Sequence, residues 1–194
     1  MIKTIIFDVG SVITKANWEN LYTSFAIRIG VEPAAVIEYH NKNLTDLLLG
    51  HITFANFIQD LTESVSVTAA RDIWIEEALK QTQVNTHLLD AISTLRGKYI
   101  LQILTNISES RLLTDQALGF YDQFDYVLLS CVEHLVKPDP RFYRLALSHA
   151  QAEPREAIFI DDTQKQVKAA QQLGIHGIVF LHNQQLQSDL EKLL

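Results

Sequence analysis

The chain has 194 residues, 47% hydrophobic and 20% charged, which is apolar material for one large domain or a domain with a sizeable insertion. Its formal net charge of -7 argues against a nucleic-acid backbone as main partner, because no basic excess exists to release counterions. The single cysteine, Cys131, excludes an internal disulfide framework and a cysteine-rich zinc site, and it suits a reducing cytoplasm. The first residues do not read as a signal peptide, since Lys3 is followed by a short apolar run that ends at Asp8. No stretch approaches the roughly 18 apolar residues that cross a bilayer. The expectation is a cytoplasmic protein, monomer or weak homodimer, with neither nucleic acid nor membrane as partner.

In chain order, TIIFD (4–8) reads as a buried strand that delivers a carboxylate into a turn containing Gly10. About ninety residues of helical pattern follow: NWENLYTSFAIRIG, PAAVIEYHNKNLTDLLLG, TFANFIQDLTESV and TAARDIWIEEALKQ, with breaks at 30–33, 50–53 and 64–68. No strand is expected among them. Four further apolar runs come next, ILQILT (100–105), YVLLS (126–130), AIFID (157–161) and GIVF (177–180), each of strand length and not cleanly alternating. Helical stripes separate them: SESRLLTDQALG closing on Gly119, RFYRLALSHA opened by Asp139 and Pro140, and QKQVKAAQQLG closing on Gly174. The tail QQLQSDLEKLL reads as a last amphipathic helix. This order predicts an α/β fold, a doubly wound Rossmann-like parallel sheet of about five strands formed by 1–14 and 91–194, with an all-helical unit inserted at 15–90.

Ligands of such sheets sit at the carboxyl ends of the strands. Asp8 ends the first run, Thr105 and Asn106 end the second, Lys137 follows the third, and Asp161 and Asp162 end the fourth. Clustered carboxylates suit Mg²⁺, and hydroxyl, amide and lysine suit a phosphoryl group. In order and at suitable spacing, FDVGSVI, LTN, KPDPRFY and FIDDTQKQVKAAQQLG resemble the four motifs of the haloacid dehalogenase (HAD) superfamily. The helical insertion sits where that family's subclass I cap sits. The stretch LLGHITFANF resembles caps of the branch that holds the phosphatase domain of soluble epoxide hydrolases and some bacterial sugar phosphatases.

The resemblance implies a Mg²⁺-dependent phosphatase acting on a small phosphorylated metabolite. In it, Asp8 is the nucleophile that forms an aspartyl-phosphate. Thr105 holds the phosphoryl oxygens with the Asn106 backbone or amide helping, and Lys137 neutralises charge on both nucleophile and phosphate. Asp161 and Asp162 hold the metal together with Asp8 and the Gly10 carbonyl. Backbone N–H groups of the turn Val9–Ser11 meet the phosphate as a nest. Structural roles compete at two positions: Asp161 could cap the following helix, and Asn106 could open its own. Trp18 and Trp74 read as packing residues of the insertion.

The chain departs from the family's pattern at Gly10, where most members carry a second aspartate that protonates the leaving group. Such help is worth about 10²–10⁴-fold. Its absence leaves three readings: a substrate with a good leaving group, a substitute acid such as His134, or a phospho-ligand binding protein without turnover. A metal-independent 2-haloacid dehalogenase, which also lacks that aspartate, is a fourth. Asp161 and Asp162 count against it, because without a metal they repel an anionic substrate.

Overall fold

Every side chain of Thr4–Phe7 (β1) is buried, because this strand is the middle of a sheet covered on both faces. The computed structural model describes residues 1–194. After β1 the strands are Thr14–Ala16 (β2), Thr82–Val84 (β3), Ile100–Thr105 (β4), Tyr126–Leu129 (β5), Ala157–Asp161 (β6) and His176–Val179 (β7). Five of them form one parallel sheet in the order β5-β4-β1-β6-β7. The chain winds outward from β1 through β4 to β5, then crosses to the other side of β1 for β6 and β7. The direction therefore reverses beside the carboxyl end of β1, the place where open α/β sheets hold ligands.

The pleat divides the core. Ile5 and Phe7 point to one face, with Ile103, Ile158 and Ile160, under the helices Thr86–Ser93 and Asn183–Glu191. Ile6 points to the other, with Leu104 and Phe159, under Pro140–His149 and Gln164–Gln172. A third cluster lies apart, formed by Leu21, Phe25, Phe57, Trp74 and their neighbours inside the inserted segment.

The inserted segment holds five helices, Trp18–Ile29, Pro33–Lys42, Leu44–Leu48, Phe54–Leu61 and Val67–Gln81. One feature differs from the sequence expectation of no strand there. Thr14–Ala16 and Thr82–Val84 pair antiparallel into a two-stranded ribbon that joins the insertion to the sheet domain. TKA and TQV are too short to show alternation, and their pairing spans most of the insertion, so no local signal reveals it. The helix Thr86–Ser93 also packs with the sheet, through Leu88, Leu89 and Ile92, rather than with the helices before the ribbon. No helix of the chain is long and apolar enough to cross a membrane.

The insertion rests on the helix Glu109–Leu118. Leu113 belongs to the insertion's cluster, Trp74 Nε1–H donates to Thr114 Oγ1 (3.2 Å), and the Phe54 N–H donates to the Glu109 carboxylate (2.6 Å). A second seat is the turn at Gly50, whose φ of +70 places it in the left-handed region, pressed against the backbone of Cys131. A Cβ at Gly50 would overlap the Cys131 carbonyl oxygen. Gly50→Ala is therefore expected to cost about 1–2 kcal/mol from backbone conformation alone. The overlap adds to that cost unless the insertion shifts off its seat. Thermal unfolding measures it, and an unchanged Tm would show that Gly50 does not carry this contact.

Candidate active site

Strand register builds the centre of the site. Phe7 lies opposite Ile160, so the next residues, Asp8 and Asp161, emerge level with each other at the sheet's carboxyl edge. The Asp8 N–H donates to the Ile160 carbonyl (2.8 Å), continuing the ladder one step past the strand. Lys137 enters from the loop after β5 and donates from Nζ to Asp8 Oδ1 (2.7 Å) and to Asp161 Oδ2 (2.6 Å). The lysine side chain is 2% exposed. Burial alone would push its ammonium down, but Asp8 and Asp161 outweigh that and hold it above its ordinary value. Burial likewise pushes the Asp161 carboxyl up to about 6; Lys137 opposes this and Asp8 adds to it.

The turn after β1 leaves peptide groups open to a ligand. Gly10 forms a bridge with Thr14 in which the Val9 carbonyl accepts from Thr14 N–H (2.9 Å) and Ser11 N–H donates to the Thr14 carbonyl (2.7 Å). That pattern uses the flanking peptides and leaves Gly10's own N–H and C=O with no hydrogen-bond partner in the protein. The N–H groups of Val9 and Asn106 are free in the same way. Three backbone donors at the ends of β1 and β4 are thus available to an anion. Ser11 takes the left-handed conformation (φ 58), consistent with its reading as a turn residue, whereas Gly10 is not in the left-handed region.

The carboxylates of Asp8, Asp161 and Asp162 each offer an oxygen within 4.8 Å of the others. Three carboxylate oxygens plus the unpartnered Gly10 carbonyl are the hard-oxygen donors that Mg²⁺ prefers, so the residues present fit that ion. Asp161 Oδ1 also accepts from Thr163 N–H (2.8 Å), closing a turn before the helix Gln164–Gln172, whose N-cap is Thr163 and not Asp161. Asp162 is exposed, and its Oδ1 accepts from the Thr163 hydroxyl (3.2 Å).

Thr105 is buried at the end of β4, beside the free Asn106 N–H. Of the two Asn106 groups that could meet a phosphate, backbone and amide, the amide has a different task. Its Oδ1 accepts from Lys137 N–H (2.7 Å) and its Nδ2 donates to the Lys137 carbonyl (3.0 Å), so both ends clamp the backbone that presents the lysine. Only its main-chain N–H remains for a ligand. Ser130 supports the same loop from below, accepting from Ile107 N–H (2.8 Å) and donating to the Ile107 carbonyl (3.1 Å). The helix following β4 is opened by Ser108, not Asn106. His134 is exposed, and its Nδ1 is held against the Leu49 carbonyl (2.7 Å) beside the His51 ring. It belongs to the contact between insertion and sheet domain and does not line the cavity at Gly10.

Sequence reasoning missed Arg111 and Asp115. Asp115 is completely buried; its Oδ1 accepts from Arg111 Nε (2.8 Å) and its Oδ2 from the Tyr121 hydroxyl (3.1 Å). Burial pushes its carboxyl up to about 6, against the pull of Arg111. Arg111 also donates from Nη2 to Thr14 Oγ1 (2.6 Å) in the ribbon and lies over the Trp18 ring (5.1 Å). An i, i+4 Arg–Asp pair in SESRLLTDQALG is the one sequence signal for this, and it reads equally well as an exposed helix pair. Trp74 is the packing residue expected, while Trp18 is 41% exposed and lines the cavity at Gly10.

The profile of the haloacid dehalogenase-like hydrolases matches residues 2–174. Acyl-CoA dehydrogenase family member 10 of Mus musculus is 34% identical over 160 residues, which are 75% of this chain and 14% of that protein. Bifunctional epoxide hydrolase 2 of Sus scrofa is 29% identical over 164 residues, 75% of this chain and 29% of that protein. The chain thus spans less than a third of the length of these curated relatives. Among solved structures, the magnesium complex of a HAD family enzyme from Bacteroides thetaiotaomicron superposes with a TM-score of 0.77 at 26% identity, covering 92% of this chain and 93% of that one.

The carboxylate cluster generates a test. Asp161 must be ionised to take a cation, so Mg²⁺ competes with its proton below about 6. A raised folded-state carboxyl pKa means the metal-free protein loses stability as pH rises from the unfolded value of about 4 through about 6. Added Mg²⁺ should offset that loss, so the Mg²⁺-induced rise in Tm should grow from pH 5 to 7 and then level off. Asp162→Ala should abolish most of the rise. A Mg²⁺ response that is flat with pH, or unchanged in the variant, would contradict this cation site.

Proposed function

Because the chain belongs to the haloacid dehalogenase-like hydrolases, we propose that it is a Mg²⁺-dependent phosphatase that cleaves a small phosphorylated metabolite through an aspartyl-phosphate on Asp8. The observation that carries this is the convergence, at one strand edge, of Asp8, the buried Lys137 cation and three backbone N–H groups without protein partners. A single-turnover acid quench with substrate labelled in the phosphate, mapped on wild type and Asp8→Asn, tests the nucleophile. A cytoplasmic setting is part of the proposal, on the strength of the lone cysteine.

Lys137 occupies Asp8 Oδ1 and leaves Oδ2 facing the Gly10 turn, so Oδ2 is assigned the attack on phosphorus. The Asp8 O–P bond forms as the bond to the leaving oxygen breaks. Water then attacks the same phosphorus and Asp8 departs as a carboxylate. Through both steps the N–H groups of Val9, Gly10 and Asn106, together with the Thr105 hydroxyl, hold the equatorial oxygens. Lys137 offsets the charge of Asp8 and the charge brought by the phosphate. When bound between Asp8, Asp161 and Asp162, Mg²⁺ supplies charge neutralisation to the phosphoryl oxygens. Carbon–halogen hydrolysis is disfavoured by the same cluster, which sets two further acids beside the nucleophile.

Gly10 removes the usual proton donor, and His134, tied to Leu49, does not replace it. The leaving oxygen must therefore carry its own charge, so aryl and acyl phosphates should turn over far faster than alkyl phosphates. The glycine site can accept the missing side chain: a Cβ there meets only Asp8 Oδ2, at an ordinary 3.9 Å, and the backbone is not left-handed. Gly10→Asp should raise turnover of alkyl phosphates by up to about 10²–10⁴-fold and flatten the dependence of rate on leaving-group pKa. His134→Ala should leave that dependence unchanged. A flat dependence in the wild type would mean that an acid acts at the site after all. Phosphate binding without turnover of any ester, in wild type and Gly10→Asp alike, would favour a phospho-ligand binding protein.

A further inference from the structure

Two cavities meet at Arg111. The first, of about 200 Å³, runs over Val9, Gly10, Thr105 and Asn106, whose groups are proposed to hold the phosphoryl oxygens. The second, of about 330 Å³, opens between the insertion and the helix Glu109–Leu118 and is walled by Trp18, Tyr22, Leu44 and Leu48. Arg111 lines both. Its side chain is only 9% exposed and is fixed by Asp115 at Nε and Thr14 at Nη2, yet its Nη1 group has no protein partner. A nearly buried guanidinium with one prong pinned and another free is a donor held ready for something else.

We infer that Arg111 selects the substrate: it donates from Nη1 to an uncharged acceptor, a hydroxyl or carbonyl, on a ring-shaped leaving group lodged between Trp18, Tyr22, Leu44 and Leu48. This rests on the phosphatase reading of the site and narrows its substrate class. The ring follows from the wall, which offers Trp18, Tyr22, Leu44 and Leu48, with Trp18 and Leu44 exposed at 41% and 40%, while His40 and Asn41 supply polar groups to the same cavity. The uncharged acceptor follows from Asp115. It already balances the guanidinium, so a carboxylate on the leaving group would enter a buried space without a compensating charge, close to Asp8 and Asp115. A hydrogen bond to a charged donor of this kind discriminates by about tenfold or more, because a ring lacking the acceptor leaves Nη1 dry and unpaired.

The test compares phenyl phosphate, 3-hydroxyphenyl phosphate and 3-carboxyphenyl phosphate, whose leaving groups are of similar acidity, with the Mg²⁺-loaded full chain. For the wild type, the hydroxyl-bearing ester should show a KM about tenfold below that of phenyl phosphate at similar kcat, and the carboxylate should gain nothing. Arg111→Lys keeps a cation for Asp115 but loses the second prong, so it should fold with a near-normal Tm and erase the tenfold preference. Its inhibition by inorganic phosphate, which reads the phosphoryl site alone, should stay as in the wild type. If Arg111→Lys does not fold, Arg111→Met combined with Asp115→Leu removes the pair together and should give the same loss of preference. Equal KM values for the three esters, a tighter carboxylate, or a preference that survives a folded Arg111 variant would overturn the assignment. Failure of all three esters to turn over, with no binding of inorganic phosphate, would instead overturn the phosphatase reading and this inference with it.

Discussion

The buried ammonium of Lys137 between Asp8 and Asp161 is the interaction on which the site depends. Two carboxylates brought level by strand register repel each other inside a poorly solvated edge, and a cation between them makes their approach tolerable. Removing the lysine would leave two buried charges uncompensated, a change that typically costs about 3–5 kcal/mol. Its own placement is secured by Asn106, which grips both polar groups of the Lys137 main chain, and by Ser130, which fixes the neighbouring Ile107 peptide. Catalytic geometry and local folding are therefore the same set of bonds. One positive charge against three carboxylates still leaves the cluster negative, which is why a divalent cation fits it.

The helix Glu109–Leu118 serves two structures at once. One side seats the insertion through Glu109, Leu113 and Thr114; the other sends Arg111 to Thr14 at the start of the ribbon. The only covalent links between sheet domain and insertion run through this ribbon, where β2 and β3 pair. Arg111 therefore touches the joint, the Trp18 wall and the cavity at Gly10 together. On the proposed assignment, a ligand that engages Nη1 would bear on a residue that also bonds the ribbon.

The sheet was legible because its strands are buried on both faces and read as short apolar runs, with turn residues and amphipathic helices between them. The ends of those runs carried Asp8, Thr105 and Asp161 in plain view, and the structure brings Asp8, Asp161, Asp162 and Lys137 together. What escaped had no local period. The ribbon depends on pairing between segments of three residues each, and the expected boundary at 90/91 falls inside the helix Thr86–Ser93, which the sequence reading does not pick out. The role of Asn106 was hidden because a clamp and a phosphate ligand demand the same amide. Arg111 was hidden for a different reason: an i, i+4 ion pair looks the same in sequence whether it faces water or a cavity.

That Asp8 attacks phosphorus is tested most directly by a borohydride quench of a single turnover, because an acyl phosphate on Asp8 is reduced to homoserine and a free carboxylate is not. With enzyme in excess over an aryl phosphate and Mg²⁺ present, peptide mass spectrometry should find homoserine at position 8 during the turnover and none once phosphate release is complete. The aryl alcohol should appear no later than the phosphate. Phosphate released with no homoserine at position 8 at any time would mean that water attacks phosphorus directly, and it would contradict the account.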